Sequence, residues 1–289
     1  MQYPNVHLAK FIDRPNRFIA HCRLIETDEV VTTHVKNTGR TTILQPGVTT
    51  ALVHNDNPSR KTAYDLVAAK KYDRQWINVD SQAPNKIVKT GLETNYIKLP
   101  GIESIANVMP ETTYLDSRLD FAGTDNGGHP FFLEVKGVTL ANEGIAAFPD
   151  APTTRGLKHV QTLEKAVDDG YLAYLLFVIQ MKNIQTVTID RDIFEELAVE
   201  IDKAQKKGVH VIAYDCKVEP GSLELDQPVP FNLNQKFVSD GLPSSIGRKW
   251  TRLASIFSRV IIIRHWCEWR IVDRTTWFLE GRNFKSNGK

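Results

Sequence analysis

Between residues 6 and 80 the apolar positions fall in short runs broken by turn residues. Pro15-Asn16 divides HLAKFIDRPNRFIAHCRLI, Asn37-Thr38-Gly39 closes VVTTHVKN, and Pro46-Gly47 interrupts TTILQPGVTTALVHN before Asn55-Asp56-Asn57-Pro58. Closely spaced strands with this punctuation predict a small β-barrel or sandwich. The pattern then changes. A polar helix is expected around Pro84 to Leu92. Strands follow near Tyr114–Phe121 and Phe131–Val138, joined through Asp125-Asn126-Gly127-Gly128, a strong hairpin signal. Leu157, Val160, Leu163 and Val167 recur at helical spacing, so a helix is predicted from about Thr154 with Gly170 as its stop. Tyr171–Gln180 reads as a buried strand. Ile193, Leu197 and Ile201 place a second helix between Asp190 and Gly208, and Val209–Tyr214 reads as another buried strand. The order β-β-α-β-α-β predicts a mixed sheet flanked by helices, an α+β or α/β arrangement.

Composition adds a third region. The 289 residues are 42% hydrophobic and 24% charged, a globular balance. The net charge of +2 conceals a division. Residues 1–80 hold 11 basic and 8 acidic residues, residues 81–230 hold 14 and 22, and residues 231–289 hold 11 and 4. Near-neutrality excludes a histone-like polycation, but not a nucleic-acid partner. Three domains are expected: 1–80, 81–230, and a basic extension over 231–289 that carries four of the five tryptophans. Within the extension, Trp250, Leu253, Ile256, Phe257, Val260 and Ile261 alternate with Arg252, Arg259 and Arg264, a pattern that suits a basic amphipathic helix. Cys22, Cys216 and Cys267 lie far apart, which argues against a disulfide partner or a thiolate zinc site. The N-terminus has no apolar signal region, and the longest mid-chain apolar run, Leu172–Ile179, is far below the ~20 residues of a membrane span. A cytoplasmic location is expected, and self-association is compatible with all of this.

Chemistry concentrates on Asp120 in SRLDF and on Glu134 and Lys136 in FFLEVKGV. Glu134 and Lys136, two apart on a strand, share a face, and the hairpin brings Asp120 to them. Their neighbours Phe131, Phe132, Leu133, Val135 and Val138 mark a core strand, where unpartnered charges cost several kcal/mol. One reading is a metal site, with two carboxylates and a backbone carbonyl suiting Mg²⁺ or Mn²⁺ and Lys136 stabilising charge on a phosphodiester. The plainer reading is a solvent-facing Glu-Lys pair on an edge strand. Glu111 is either a third acidic ligand or an ordinary solvated residue. Arg155, Lys158 and His159 open a helix, where they either deepen an anion site or form a solvated face. Asn37-Thr38-Gly39 with Arg40, and the pair Arg60-Lys61, are phosphate contacts in a binding reading and a turn or a solubility feature otherwise. No GxSxG elbow, Walker A loop, GxGxxG turn or HExxH helix is present.

HVKNTGR, SRLDF, FFLEVKGVTLA and FPDAPTTRGLKHVQTL, in this order, resemble the sugar fermentation stimulation protein A family of prokaryotes over roughly residues 6 to 230. The resemblance implies an N-terminal OB-fold followed by a restriction-endonuclease-like domain of the PD-(D/E)xK type. It also implies non-specific binding of DNA, single- or double-stranded, and a link to maltose-related sugar metabolism. By position, Asp120 and Glu134 resemble the motif's metal-binding acids, Lys136 its catalytic lysine, and Glu111 an additional upstream acid. Asn37, Thr38 and Gly39 match the family's Asn-Thr-Gly turn. Two functions follow: a metal-dependent nuclease, or a non-catalytic DNA-binding regulator of sugar metabolism. Residues beyond about Phe231 have no counterpart in the resemblance.

Overall fold

A computed structural model describes residues 1–37, 43–71 and 74–239. Thr38, Gly39, Arg40 and the tryptophan-rich helix expected after Trp250 lie outside the described residues. The first strands are β1 (Val6–Asn16), β2 (Ile19–Leu24), β3 (Val30–Val35), β4 (Thr49–His54) and β5 (Tyr64–Lys71). They run in the order β3-β2-β1-β4-β5, and a parallel β3–β5 pairing closes them into a five-stranded OB-like barrel. Alternation sets the faces: Ala9 and Phe11 on β1, Ala20, Cys22 and Leu24 on β2, and Val31 and Val35 on β3 point inward and are buried. β6 (Gln75–Asn78) extends the sheet beside β5.

A second module follows α1 (Ala83–Glu93). Its strands and helices are β7 (Ile105–Tyr114), β8 (Ser117–Asp125), β9 (Pro130–Val138), β10 (Leu140–Asn142), β11 (Ile145–Phe148), α2 (Thr154–Asp168), β12 (Leu172–Ile179), β13 (Thr186–Ile189), α3 (Arg191–Lys207), β14 (His210–Glu219) and β15 (Ser222–Pro228). The main sheet is mixed, in the order β15-β14-β12-β9-β8-β7, with β9, β12 and β14 parallel. β10, β11 and β13 form a smaller sheet. On one face α1 packs Ile87, Val88 and Leu92 against Leu133, Val135 and Leu176. On the other, Val160 and Leu163 of α2 and Leu197 and Ile201 of α3 cover Phe132, Leu175 and Phe177. Both long helices begin and end on local chemistry. The Thr153 side chain accepts from the Gly156 amide, the Asp190 side chain accepts from those of Asp192 and Ile193, and α3 ends at Gly208 with φ of 119°.

The two modules meet at a polar seam. Asn78 N–H donates to the Gln180 carbonyl at 3.0 Å, and Gln180 Nε2 donates to Asn78 Oδ1 at 2.8 Å and to the Asp80 carbonyl at 3.2 Å. Asp80 also accepts from Tyr3 and from Lys36, the latter at 3.4 Å. Residues 231–239, expected to open the extension, run along the second module: Phe231 stacks on Phe177 with centroids 5.4 Å apart, and the Thr188 hydroxyl donates to the Gln235 carbonyl. Among the described residues no helix is long and apolar enough to cross a membrane, and Cys22 and Cys216 are buried free thiols.

At the β14–β15 edge, Lys182 Nζ lies 2.9 Å from Asp215 and also pairs with Asp226, whose other oxygen accepts from Lys217 Nζ at 3.1 Å. The Lys182 bond, opposed by burial and helped by Lys217, holds the Asp226 carboxyl down at about 2. A carboxyl depressed in the folded state stabilises the fold above its unfolded value, and that contribution fades as pH falls toward the folded value. Asp226→Asn is therefore expected to lower the melting temperature at pH 7, with the gap to wild type narrowing between about pH 5 and pH 2 in a series of thermal melts.

Candidate functional site

The β8–β9 hairpin turns where the sequence places it, with the Gly128 amide bonded to the Asp125 carbonyl and Gly128 at φ of 85°. Its ladder pairs Thr124 with Pro130, Gly123 with Phe131, Ala122 with Phe132 and Phe121 with Leu133, and there it stops. One residue further along each strand stand Asp120 and Glu134. The backbone groups that the lost ladder leaves open are taken by side chains. Val135 N–H donates to Asp120 Oδ2 at 2.8 Å, and Asp120 N–H donates to Glu134 Oε2 at 3.3 Å. Two carboxylates thus stand in for ladder carbonyls at the point where the strands part.

Glu134 is 2% exposed, and its charge is answered from two elements. Lys136 Nζ, on the same strand face, donates to Glu134 Oε1 at 2.5 Å. His159 Nδ1, one turn into α2 and equally buried, bonds the same oxygen. Arg155 Nε lies 3.4 Å from His159 Nε2, so the far side of the ring is held as well. Asp120 is held from the opposite side, where Asn85 Nδ2 on α1 donates to Oδ1 at 2.7 Å. Helices on both faces of the sheet therefore orient the pair.

The two carboxyls are driven apart in acidity. Burial raises both, but the bond from His159 and the charge of Lys136 bring Glu134 below the ordinary glutamate range. Burial, reinforced by the neighbouring Glu134 charge, lifts Asp120 above the ordinary aspartate range despite the Val135 N–H. Asp120 and Glu134 are the residues here that could hold a divalent cation, as hard oxygen donors with charge left to neutralise. Among the described residues no three His, Cys, Asp or Glu side chains form a preformed metal cage.

The other expected site residues are dispersed. Glu111 sits on β7 with φ of 53°, exposed, its carboxylate paired with Arg118. Lys158 is exposed and bonds both the carbonyl and the carboxylate of Asp116. Arg155 is exposed at the start of α2. Arg60 grips both oxygens of Asp65, beside which Lys36 lies at 3.5 Å, while Lys61 is exposed. Asn37 is half-buried, and its carbonyl accepts from Arg14 at 2.6 Å. By sequence His159 groups with the phosphate contacts, whereas in the fold it holds Glu134, and Asn85, which holds Asp120, goes unmarked. Its only available signal was the position of Asn85 in the first turn of a helix that precedes the hairpin.

Removing His159 leaves Glu134 buried with one donor fewer. His159→Ala is expected to destabilise the fold by about 1–3 kcal/mol, read as a lower urea midpoint at unchanged slope. Asn85→Ala should shift the midpoint less, because Asp120 keeps the Val135 N–H.

The model of the sugar fermentation stimulation protein RE domain matches residues 82–222, and that of the SfsA N-terminal OB domain matches residues 12–79. A sugar fermentation stimulation protein homolog of Lacticaseibacillus casei is 47% identical over 245 residues, covering 84% of this chain and 100% of the relative. Homologs of that name from Enterococcus mundtii and Ruminiclostridium cellulolyticum are 47% and 42% identical, covering 84% and 81% of this chain and all of each relative. The solved structure of Pyrococcus furiosus SfsA in complex with Ca²⁺ shares the fold at a TM-score of 0.72 and 23% identity, over 81% of this chain and 98% of that one. The chain belongs to the sugar fermentation stimulation protein family.

Proposed function

We propose that the protein is a DNA-binding phosphodiesterase that depends on Mg²⁺ or Mn²⁺. The observation that carries this reading is the buried Asp120–Glu134 pair with Lys136 against it, at the opening of the β8–β9 ladder. Asp120 and Glu134 would hold the cation. With only one or two protein carboxylates, such a site is completed by water and by substrate phosphate, which is how Mg²⁺ is commonly bound. Held there, the cation would supply Lewis acidity, polarising an attacking water and offsetting charge on the phosphodiester. Lys136 supports the reaction from the same strand face: its ammonium, beside Glu134, would orient the attacking water and offset negative charge at phosphorus. His159 and Asn85 keep the two carboxylates oriented. Arg155 and Lys158 at the start of α2, and Asn37, Arg60 and Lys61 of the barrel module, are proposed phosphate contacts, together with Thr38, Gly39 and Arg40. That a relative of the same fold is described in complex with Ca²⁺, a cation of the same oxygen-seeking class, supports the reading.

One observation favours a second reading, a DNA-binding regulator that does not cleave. Every oxygen of Asp120 and Glu134 already accepts a hydrogen bond from the chain, so the pair also serves as a structural staple. The name shared by the relatives, sugar fermentation stimulation, fits a regulatory role.

An assay separates them. Single- and double-stranded DNA are incubated with the protein in Mg²⁺ or Mn²⁺, beside Glu134→Ala and Lys136→Ala. The first reading predicts cleavage by wild type and at least about a hundredfold loss in each variant. Intact DNA with wild type, alongside a gel shift that weakens steeply with salt, would favour the regulator.

A further inference from the structure

Helices α2 and α3 pack against each other on one face of the main sheet, and an acidic group is closed off between them. Glu164 of α2 is 3% exposed. Lys203 Nζ of α3 lies 3.0 Å from Glu164 Oε2 and 3.0 Å from Glu200 Oε1, so one ammonium serves two carboxyls. That ammonium is itself largely exposed, and solvent screens its charge. The other oxygen of the buried carboxyl is left over. Glu164 Oε1 is fully buried and, among the described residues, has no hydrogen-bond partner. Buried polar atoms are almost always paired, so an orphan of this kind calls for a physical cause.

Surplus charge and orphan oxygen have one answer. Fully ionised, Glu164, Glu200 and Lys203 carry one negative charge more than they can pair. A proton on Glu164 Oε1 removes the surplus and turns an acceptor without a donor into a donor. The Glu200 carboxyl stands within hydrogen-bond reach to accept it, and Gln161 of α2 bonds Glu200 as well. Among the described residues no further charged or titratable side chain faces Glu164. α3 contributes Glu200 and Lys203, and the strands beneath α2 contribute apolar residues such as Leu175 and Phe177. The acidities agree. Burial first, and then the bond to Glu200, lifts Glu164 above the ordinary glutamate range, whereas the same bond draws Glu200 below it. Opposite shifts in two facing carboxyls are what one shared proton produces.

We propose that Glu164 carries a proton that it donates to Glu200, so that α2 is fastened to α3 by an acid–carboxylate bond that opens as pH rises. Once the proton is lost, two carboxylates face one exposed ammonium across a buried contact, and the helix pair exchanges a bond for a repulsion. The sign follows from linkage. A carboxyl raised in the fold contributes its full stabilisation below the unfolded glutamate value, and that contribution is lost as pH rises through the folded value. The same helix carries His159, which holds Glu134, so the fastening bears on the element that positions the candidate site. The proposal stands apart from the nuclease and regulator readings and depends on neither.

The test is a series of thermal melts of the full chain across the range from acid to mildly basic pH, with wild type beside Glu164→Gln, whose amide donates to Glu200 at every pH. Glu200 is common to both proteins, so their difference isolates the Glu164 proton. The two are expected to melt together in acid, with wild type falling about 2–4 °C below the variant on the basic side. Carboxyl titration of protein labelled with ¹³C-glutamate, followed by NMR, gives a second readout. One glutamate, absent from the Glu164→Gln spectrum, is expected to titrate above the exposed ones, and in Glu200→Gln it should move down toward them. Melting curves that stay parallel, or a Glu164 carboxyl that titrates with the exposed glutamates, would overturn the proposal. Should Glu164→Gln fail to fold, the comparison of wild type with Glu200→Gln decides alone: a raised glutamate that drops supports the bond, and its absence from wild type overturns it.

Discussion

Two carboxylates placed side by side in the core of a sheet repel each other, and the surrounding structure has to answer that repulsion. Asp120 and Glu134 sit one residue past the last ladder pair of β8 and β9, so the strands part at the point where the charges meet. Each carboxylate then takes over a backbone amide from the opposite strand, which turns a lost ladder into two side-chain bonds. Lys136 and His159 answer Glu134, and Asn85 answers Asp120. The answer is incomplete on one side. Asp120 remains harder to ionise than a free aspartate because it is buried and, secondly, because the Glu134 charge stands beside it.

The remaining architecture serves this arrangement. β9 lies between β8 and the parallel strand β12, so Glu134 and Lys136 stand beside the buried Leu175 and Phe177 in the sheet. Helix α1 delivers Asn85 to one face and α2 delivers His159 to the other, each with its apolar residues buried on the sheet. The seam of Asn78, Asp80 and Gln180 joins the barrel module to the second module next to Gly137, the residue after Lys136 on β9.

Much of this could be read from the chain, and the parts that could not have physical reasons. Asp125-Gly128, Thr153, Gly170, Asp190 and Gly208 act through local turn and cap chemistry, and the corresponding hairpin and helices form at those positions. The apolar surroundings of Glu134 signalled burial, and burial is found. β7 was hidden because its residues are mostly exposed, so Ile105–Tyr114 carries no apolar pattern, and Glu111 was read as preceding the first strand of the module when it lies within β7. The short strands β10 and β11 pair as a tight hairpin across Glu143-Gly144, and β13 joins them only through a long-range parallel pairing. His159 follows helical periodicity in either of its readings, as a solvated cation or a buried donor, and only the position of Glu134 in space separates the two. Arg60 likewise looks free in the chain and is engaged by Asp65 in the fold.

The proposed role of Asp120 and Glu134 is to hold a divalent cation. Calorimetric titration of the full-length protein with Mn²⁺, beside Asp120→Asn, tests it without reference to any reaction. The account predicts one bound ion per chain in wild type and none at this site in the variant. Absence of binding in wild type, or equal binding in both proteins, would contradict it.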